Sequence, residues 1–438
     1  MNLVNQLEKI LQKHNVFLSG GAGVGKSYLT NELKLAYKKE GKSVVLLGST
    51  AISAFNVGGC TLHSFFAFGL CANLSELMLF DKKQKEKLKK LRKTLQELDL
   101  LIIDEISMVS AEIFDLIAFR LKNSEFTGRV LVVGDFFQLP PVLKAEQKGV
   151  NSLFCGHYAF SAMSWADFEF KNVLLNTSKR TRNKRFYEYL SAMRKGELSD
   201  EILRYFEKML INSQDLSELG DDFTLLCGVN KKADAINEQK LAKIQGESLV
   251  FRGICDKVDF TLNDLVLEKW VKSLSVLDEL RVKVGAKVIF CVNNYEAGYY
   301  NGEQGEVRAL IKEDGKTYIQ VLKDNASLVK LARYEFRLED FSADGEVLAT
   351  LSQFPIKLAY AITIHKSQGM SIARLVCDID NIFENGQLYV ALSRAIEPKN
   401  LRIFYSRSGD FKGYFANALK FDKSVQEFYS KGEFLSLE

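Results

Sequence analysis

Residues 19 to 27 read Ser-Gly-Gly-Ala-Gly-Val-Gly-Lys-Ser, with Gly20, Gly25, Lys26 and Ser27 at the fixed positions of Gly-x-x-x-x-Gly-Lys-Ser. The glycines Gly20, Gly21, Gly23 and Gly25 let backbone N–H groups curl around phosphate oxygens. A helix that follows adds its positive N-terminal end. Lys26 is then placed for the outer phosphates of ATP, and Ser27 for Mg²⁺. A second group of acids ends the apolar run "LLIIDEISM" (100–108). Ligands of α/β sheets bind at the carboxyl ends of strands. There Asp104 would hold Mg²⁺ and Glu105 would polarise an attacking water as general base. Taken alone, these two acids could also be a helix N-cap with an acidic first turn, the lesser of the two readings; the phosphate loop favours the catalytic reading further.

Three other groups bear on the same chemistry. Gln138, in "VVGDFFQLPPV", is neutral and bifunctional, suited to sensing a γ-phosphate. Pro140 and Pro141 stiffen the loop that leaves it. Arg394, in "GQLYVALSRAIEPKNL", and Arg180, in "SKRTRNKRF", are arginines able to stabilise charge on a transferring phosphoryl group.

Buried strands must hold these residues. "NVFLSG" (15–20), "SVVLLGST" (43–50), "LDLLIIDE" (98–105) and "RVLVVGD" (129–135) are short apolar runs separated by helix-like segments, the pattern of a parallel α/β sheet. "DKKQKEKLKKLRKTLQEL" (81–98) interrupts it, with Leu88, Leu91 and Leu95 at helical spacing among many lysines. It is either a solvated helix face or a basic element beside a nucleic-acid track. From about 280, "LRVKVGAKVIFCVNN" and "GKTYIQVLKD" alternate as half-exposed antiparallel strands, and α/β-like runs resume after Pro355.

At 438 residues the chain predicts more than one domain, and 47% hydrophobic residues allow real cores. The net charge of +4 permits a nucleic-acid partner without demanding one. Seven cysteines without a Cys-x-x-Cys pair and four scattered histidines predict neither a disulfide framework nor a zinc site. No apolar run is long enough for a bilayer span, and no signal peptide is seen.

Late in the chain, "LAYAITIHKSQGM" (358–370) ends an apolar run in compact polar residues. With "GGAGVGKS", "GSTAISAFNVGGCTLHSFF" (48–66), "LIIDEISM", "GDFFQLPPV", "KRTRNKRFYEYLSAMRKG" (179–196), "YNGEQGEV" (300–307) and "GQLYVALSRA", it completes an ordered set. The chain resembles superfamily-one DNA helicases of the 5′-to-3′ branch, within it the PIF (petite integration frequency) family, with the RecD proteins as relatives.

The resemblance implies an α/β fold of two RecA-like P-loop domains with parallel sheets. It places a small helical wedge insert in the first and an SH3-like β-barrel insert in the second. The expected boundaries are 1–67 and 99–205 for the first domain, with the wedge at 68–98. The second takes 206–279 and 352–438, with the β insert at 280–351. The phosphate-contacting arginines fall on Arg180 and Arg394, and the γ-phosphate sensor on Gln138. Two departures stand out: Lys179-Arg180-Thr181 replaces the usual Phe-Arg-Gln, and only Gln6 and Gln12 precede the first strand for the adenine-reading glutamine.

DNA contacts would come from small groups able to grip and release phosphates: Ser49, Thr50, Thr61, His63 and Ser64 in the first domain. Phe65 and Phe66 would stack bases, or else pack a core. In the second domain Thr363, His365, Lys366 and Ser367 would face DNA, while Gln368 and Gly369 would lie towards the nucleotide. The expected partners are single-stranded DNA and forked or tailed duplex, with G-quadruplex or RNA–DNA hybrid as further substrates, no membrane, and a monomeric state. No transit-like extension is seen, so a cytoplasmic, nucleoid-associated bacterial or phage protein is expected. The competing readings are a RecD-like translocase with weak unwinding, a catalytically silent DNA-binding module and a P-loop kinase.

Overall fold

The computed structural model describes residues 3–49, 60–69, 71, 73–141, 157–274, 276–294, 296–340, 346–407 and 409–437. Its first sheet has seven parallel strands in the order Phe434–Leu437, Lys171–Leu175, Val16–Gly20, Arg129–Gly134, Leu100–Asp104, Val44–Gly48 and Cys60–Thr61. All four strands predicted from apolar runs lie at its centre. Their side chains alternate between two cores, as a sheet covered on both faces requires. Leu18, Leu46, Ile102 and Val133 meet the helices Leu3–Leu11 and Lys26–Lys39 on one face. Phe17, Leu47, Ile103 and Val132 meet Phe114 and Ile117 of the helix Ala111–Asn123 on the other.

The second sheet has five parallel strands in the order Ala361–Thr363, Thr224–Cys227, Leu375–Asp378, Leu401–Phe404 and Leu210–Ile211. Two parallel sheets with covering helices are the two RecA-like domains. Between the strands of the second sheet, the chain builds an antiparallel insert. A five-stranded sheet runs Leu328–Leu331, Lys316–Lys323, Gln304–Glu313, Lys287–Phe290 and Ile356–Leu358. Beside it lie a three-stranded sheet, in which Ile254–Lys257 pairs with Glu346–Gln353, and the pair Leu249–Arg252 with Glu279–Val282.

Three of the predicted boundaries need correction. The insert recruits Leu249–Lys257 and Ile356–Leu358, so its strands reach beyond 280–351 on both sides. The helix Lys184–Arg194, expected in the first domain, puts Phe186, Leu190 and Met193 into the core of the second with Leu226, Ile362 and Leu375. The strand Phe434–Leu437, expected in the second domain, pairs with Lys171–Leu175 in the first sheet. Its preceding helix Lys423–Lys431 follows it, with Val425, Phe428 and Tyr429 against the first core.

The lysine-rich segment forms the helix Lys85–Gln96, and a second helix, Leu74–Asp81, precedes it. Leu77, Leu91 and Leu95 are buried in the first domain's core, while Lys82, Lys83, Lys89 and Lys90 stand in solvent. Buried Arg120 grips Asp81 through two bonds of 2.6 and 2.7 Å and donates to the Phe66 carbonyl at 3.0 Å. This charge-assisted fork ties the insert to the sheet's helical layer.

Stopping the chain after Gly432 should destabilise the phosphate-loop domain although the cut lies some four hundred residues from that loop. Losing the burial of Phe434 and Leu437 is expected to cost about 3 kcal/mol in denaturant unfolding. An unchanged midpoint would show that the last strand adds nothing to the first sheet.

Candidate functional site

The phosphate loop leaves the strand Val16–Gly20 and enters the helix Lys26–Lys39. Gly23 (φ 76°) and Gly25 (φ 90°) take left-handed conformations. A Cβ on Gly23 would stand 2.6 Å from the Arg180 Cβ, so close approach excludes any side chain there. Lys26 folds back, donating from Nζ to the carbonyls of Gly20 (2.7 Å) and Gly21 (3.1 Å). Burial pushes its ammonium pKa down, against the pull of Asp135 and Glu105.

The strand of Asp135 lies between the phosphate-loop strand and the Asp104 strand, so the three carboxyl ends open side by side. Ser27 Oγ lies 3.4 Å from Asp104 Oδ2. Burial, and then the neighbouring Glu105, push the Asp104 carboxyl up to about 7. Glu105 itself takes a left-handed backbone (φ 54°, ψ 47°), a strained conformation for a residue with a side chain. One of its carboxylate oxygens, Oε2, is buried without a hydrogen-bond partner.

A cavity of about 270 Å³ joins the two domains here. Lys26, Ser27, Glu105, Gln138 and Arg180 line it from one side, and Gly369, Ser371 and Arg394 from the other. Arg180 binds both sides. Its backbone N–H and that of Lys179 donate to the Gly23 carbonyl (3.1 and 2.8 Å). Its guanidinium donates to Ser371 Oγ (2.8 Å) and to the Ser393 carbonyl (2.7 Å). Burial, and then Arg394, push it down to about 9. Arg394 is 2% exposed and donates to the carbonyls of Val390 (3.0 Å) and Ser367 (3.3 Å). Burial lowers its pKa as well. Three cations that line one space, Arg394 buried and Lys26 and Arg180 half-buried, disfavour one another, and a polyanion among them relieves all three.

The residues present fit a Mg²⁺-bound triphosphate. Magnesium is held through one or two protein oxygens with phosphates and water completing its shell. Ser27 and Asp104 supply two such oxygens. Among the described residues no group of three His, Cys, Asp or Glu gathers.

Gln138 is buried, with its Nε2 3.4 Å from Asp135 Oδ2. Asp135, fully buried, is held by the Arg194 guanidinium, with Nε at 2.9 and 3.0 Å from its two oxygens. Arg194 in turn lies over the rings of Phe137 (5.0 Å) and Tyr429 (5.1 Å). On the far side of the loop, a Cβ on Gly386 would stand 2.5 and 2.6 Å from the carbonyls of Phe137 and Gln138. The second domain's helix Gln387–Leu392 thus starts directly against the Gln138 backbone. Tyr389 of that helix accepts from the Ala22 N–H at 2.9 Å. Asp135 was read from sequence only as part of a strand end, and Arg194, Tyr389 and Ser371 were not singled out; Arg194 and Tyr389 stand inside quoted motifs, while Ser371 had no local signal.

The residues expected to hold DNA divide. His63 and Lys366 are exposed. Thr61 caps the short helix Leu62–Phe65, accepting from the Ser64 N–H. Thr50 lies outside the described residues. Phe65 is 1% exposed and Phe66 fully buried, packed edge-to-face at 5.0 Å, so base stacking by Phe65 is replaced by core packing. Thr363 and Ser367 are also buried. Ser367 Oγ donates to the Ile364 carbonyl at 2.7 Å, and Thr363 Oγ1 lies 3.4 Å from the Lys366 N–H. Their side chains pin the loop rather than face outward. His365 reaches the edge, with Nε2 2.8 Å from Glu384 Oε2. Gly369 (φ 75°) lines the nucleotide-sized cavity, whereas Gln368 is not among its lining residues.

Arg194→Ala should destabilise the protein by about 3–5 kcal/mol in denaturant titration, because Asp135 keeps a buried charge without its cation. Arg194→Lys should recover only part of this, since an ammonium cannot reproduce the two-oxygen grip. Wild-type stability for Arg194→Ala would show that the pair is not what holds Asp135.

The family model described as "PIF1-like helicase" matches residues 2–203. A protein of Campylobacter jejuni named "ATP-dependent DNA helicase Pif1" is 53% identical over 100% of this chain and 99% of its own. The crystal structure of a Bacteroides sp Pif1 in complex with ADP-AlF4 superposes with a TM-score of 0.80 at 28% identity, covering 98% of this chain and 96% of that one. A Bacteroides Pif1 bound to ssDNA, at the same identity and coverage, gives 0.67. With these matches spanning both sheets and the cavity between them, this chain belongs to the PIF1-like helicase family.

Proposed function

We propose that this chain is an ATP-dependent DNA helicase that moves 5′-to-3′ along single-stranded DNA and unwinds duplex by opening and closing the cleft between its two sheets. The observation that carries the reading is the cavity itself: Lys26, Arg180 and Arg394 converge on it from two domains, so that a triphosphate draws both domains together. Lys26 would release the Gly20 and Gly21 carbonyls to meet the outer phosphates. Arg180 and Arg394 would stabilise charge developing on the transferring phosphoryl group. Mg²⁺ held by Ser27 and Asp104 would neutralise phosphate charge. Glu105, strained, with an unpartnered oxygen and lining the cavity with these cations, would take the proton of the attacking water. Gln138 would report the γ-phosphate to the Gly386 backbone, which it already touches.

On the DNA side, Thr61, His63, His365 and Lys366 would hold the strand, with the grip alternating between domains. The lower superposition on the DNA-bound relative fits a rotation of the domains when DNA enters. Polarity, monomeric action, and use of forked or tailed duplex, G-quadruplex or RNA–DNA hybrid are part of the same reading and come from family likeness. A translocase with weak unwinding of its own shares every residue named here; strand displacement on a tailed duplex separates the two.

ATP hydrolysis should rise when single-stranded DNA is added and vanish in Lys26→Ala; hydrolysis indifferent to DNA would sink the motor reading. Glu105→Gln should bind ATP and DNA while turnover falls roughly 10²- to 10⁴-fold. A 5′-tailed duplex should be unwound and a 3′-tailed one not. His365→Ala should weaken DNA binding first; a loss confined to ATP affinity would reverse the assignment of its loop.

A further inference from the structure

Behind the loop of Gln138 stands a phenol that the chemistry above does not use. Tyr429 lies in the helix Lys423–Lys431, which packs on the first core. Its hydroxyl reaches the carboxyl ends of two neighbouring strands at once. It lies 2.6 Å from Oγ of Ser19, the fully buried residue before Gly20 of the phosphate loop. It also accepts from the Phe136 N–H at 3.3 Å. Ser19 and Gly134 are register partners in the sheet, so one hydroxyl bridges both strand ends. Burial, and then Asp135, push the phenol pKa up, so the hydroxyl keeps a proton to donate to Ser19 while it accepts from Phe136. The ring stacks on Phe137 at 4.7 Å with the planes 23° apart, and Phe434 stacks against it at 5.3 Å.

The segment 135–138 is thus held from two bodies. Arg194, on a helix that enters the second core, grips Asp135. Tyr429, on a helix of the first core, holds the next two residues, Phe136 by its N–H and Phe137 by its ring. Gln138 follows directly. We propose that Tyr429 is a positioning residue for ATP hydrolysis: it keeps the segment 135–138 in register with the phosphate loop, so that Gln138 meets the γ-phosphate while Arg194 moves with the second domain. This deepens the helicase reading and rests on it. The neighbouring ring of Phe428 packs with Phe136, Phe160 and Trp165 and already anchors the helix. The Tyr429 hydroxyl adds no apolar area; it fixes the spacing of two strand ends. Loop and sensor acting on one phosphate need that spacing held to about 0.5 Å.

The test uses Tyr429→Phe, which keeps the ring and its stacking and removes only the hydroxyl. Stoichiometric binding of ADP with fluoroaluminate sets the concentration of folded sites, and ATP hydrolysis is then measured with single-stranded DNA. The kcat should fall roughly 3- to 30-fold while KM for ATP stays within about twofold of wild type. Ser19→Ala opens the same bond from its other end and should show the same fall in kcat. Added to Gln138→Ala, Tyr429→Phe should slow single-turnover hydrolysis by less than about twofold further, because the hydroxyl acts through that side chain. Wild-type kcat in either single variant, a raised KM with unchanged kcat, or full multiplication of the two losses in the double variant would overturn the assignment. A wild-type chain whose hydrolysis ignores DNA would overturn the helicase reading, whereas a stimulated wild type matched by Tyr429→Phe would overturn this step alone.

Discussion

Positive charge buried at the seam between two sheets governs this molecule. Lys26, Arg180 and Arg394 face one cavity, and burial works against the charge on each. The protein's own carbonyls accept from each: Gly20 and Gly21 for Lys26, Ser393 for Arg180, Val390 and Ser367 for Arg394. Those bonds are weaker partners than phosphate oxygens. Phosphate oxygens can therefore replace them. Arg180 matters most here, because its bonds cross the seam and its backbone rests on the phosphate loop.

Around that seam, close contacts leave little slack. Gly23 is packed on Arg180, and Gly386 on the Phe137 and Gln138 carbonyls, so a change of position on one side is felt on the other. The segment from Thr363 to Ser371 spans both ligands' territory. Gly369 and Ser371 line the cavity, His365 and Lys366 reach the sheet edge, and the buried hydroxyls of Thr363 and Ser367 hold the turn between them. A short 3-10 turn, rather than a long lever, separates nucleotide from the outer edge.

Much of this was legible from the residues alone. Four continuous apolar runs became the four central strands because a doubly covered parallel sheet leaves no face for polar alternation. The phosphate loop and the Asp-Glu pair sit at carboxyl ends of strands, as expected, and both arginines line the same cavity. What escaped was decided by partners distant in sequence. Nothing in "EFLSL" distinguishes a strand of the first sheet from one of the second; the choice lies in packing of Phe434 against Phe17 and Tyr429. "FYEYLSAM" carries a helical period, but not which core it enters. Hydroxyls such as Thr363 and Ser367 have the right chemistry for phosphate and are spent on the loop's own backbone, a distinction set by burial.

The return of the last strand to the first sheet has a mechanical consequence. The chain passes from first domain to second near 176–183 and comes back near 419–422, since Phe411 and Phe415 pack in the second core and Val425 in the first. A body attached at one point can swivel in any direction. Attached at two, it keeps a single easy rotation, about the line through both attachments. A cleft so attached would open and shut like a door on two pins, with sideways slip that would misalign Arg394 with the phosphate loop resisted by covalent chain.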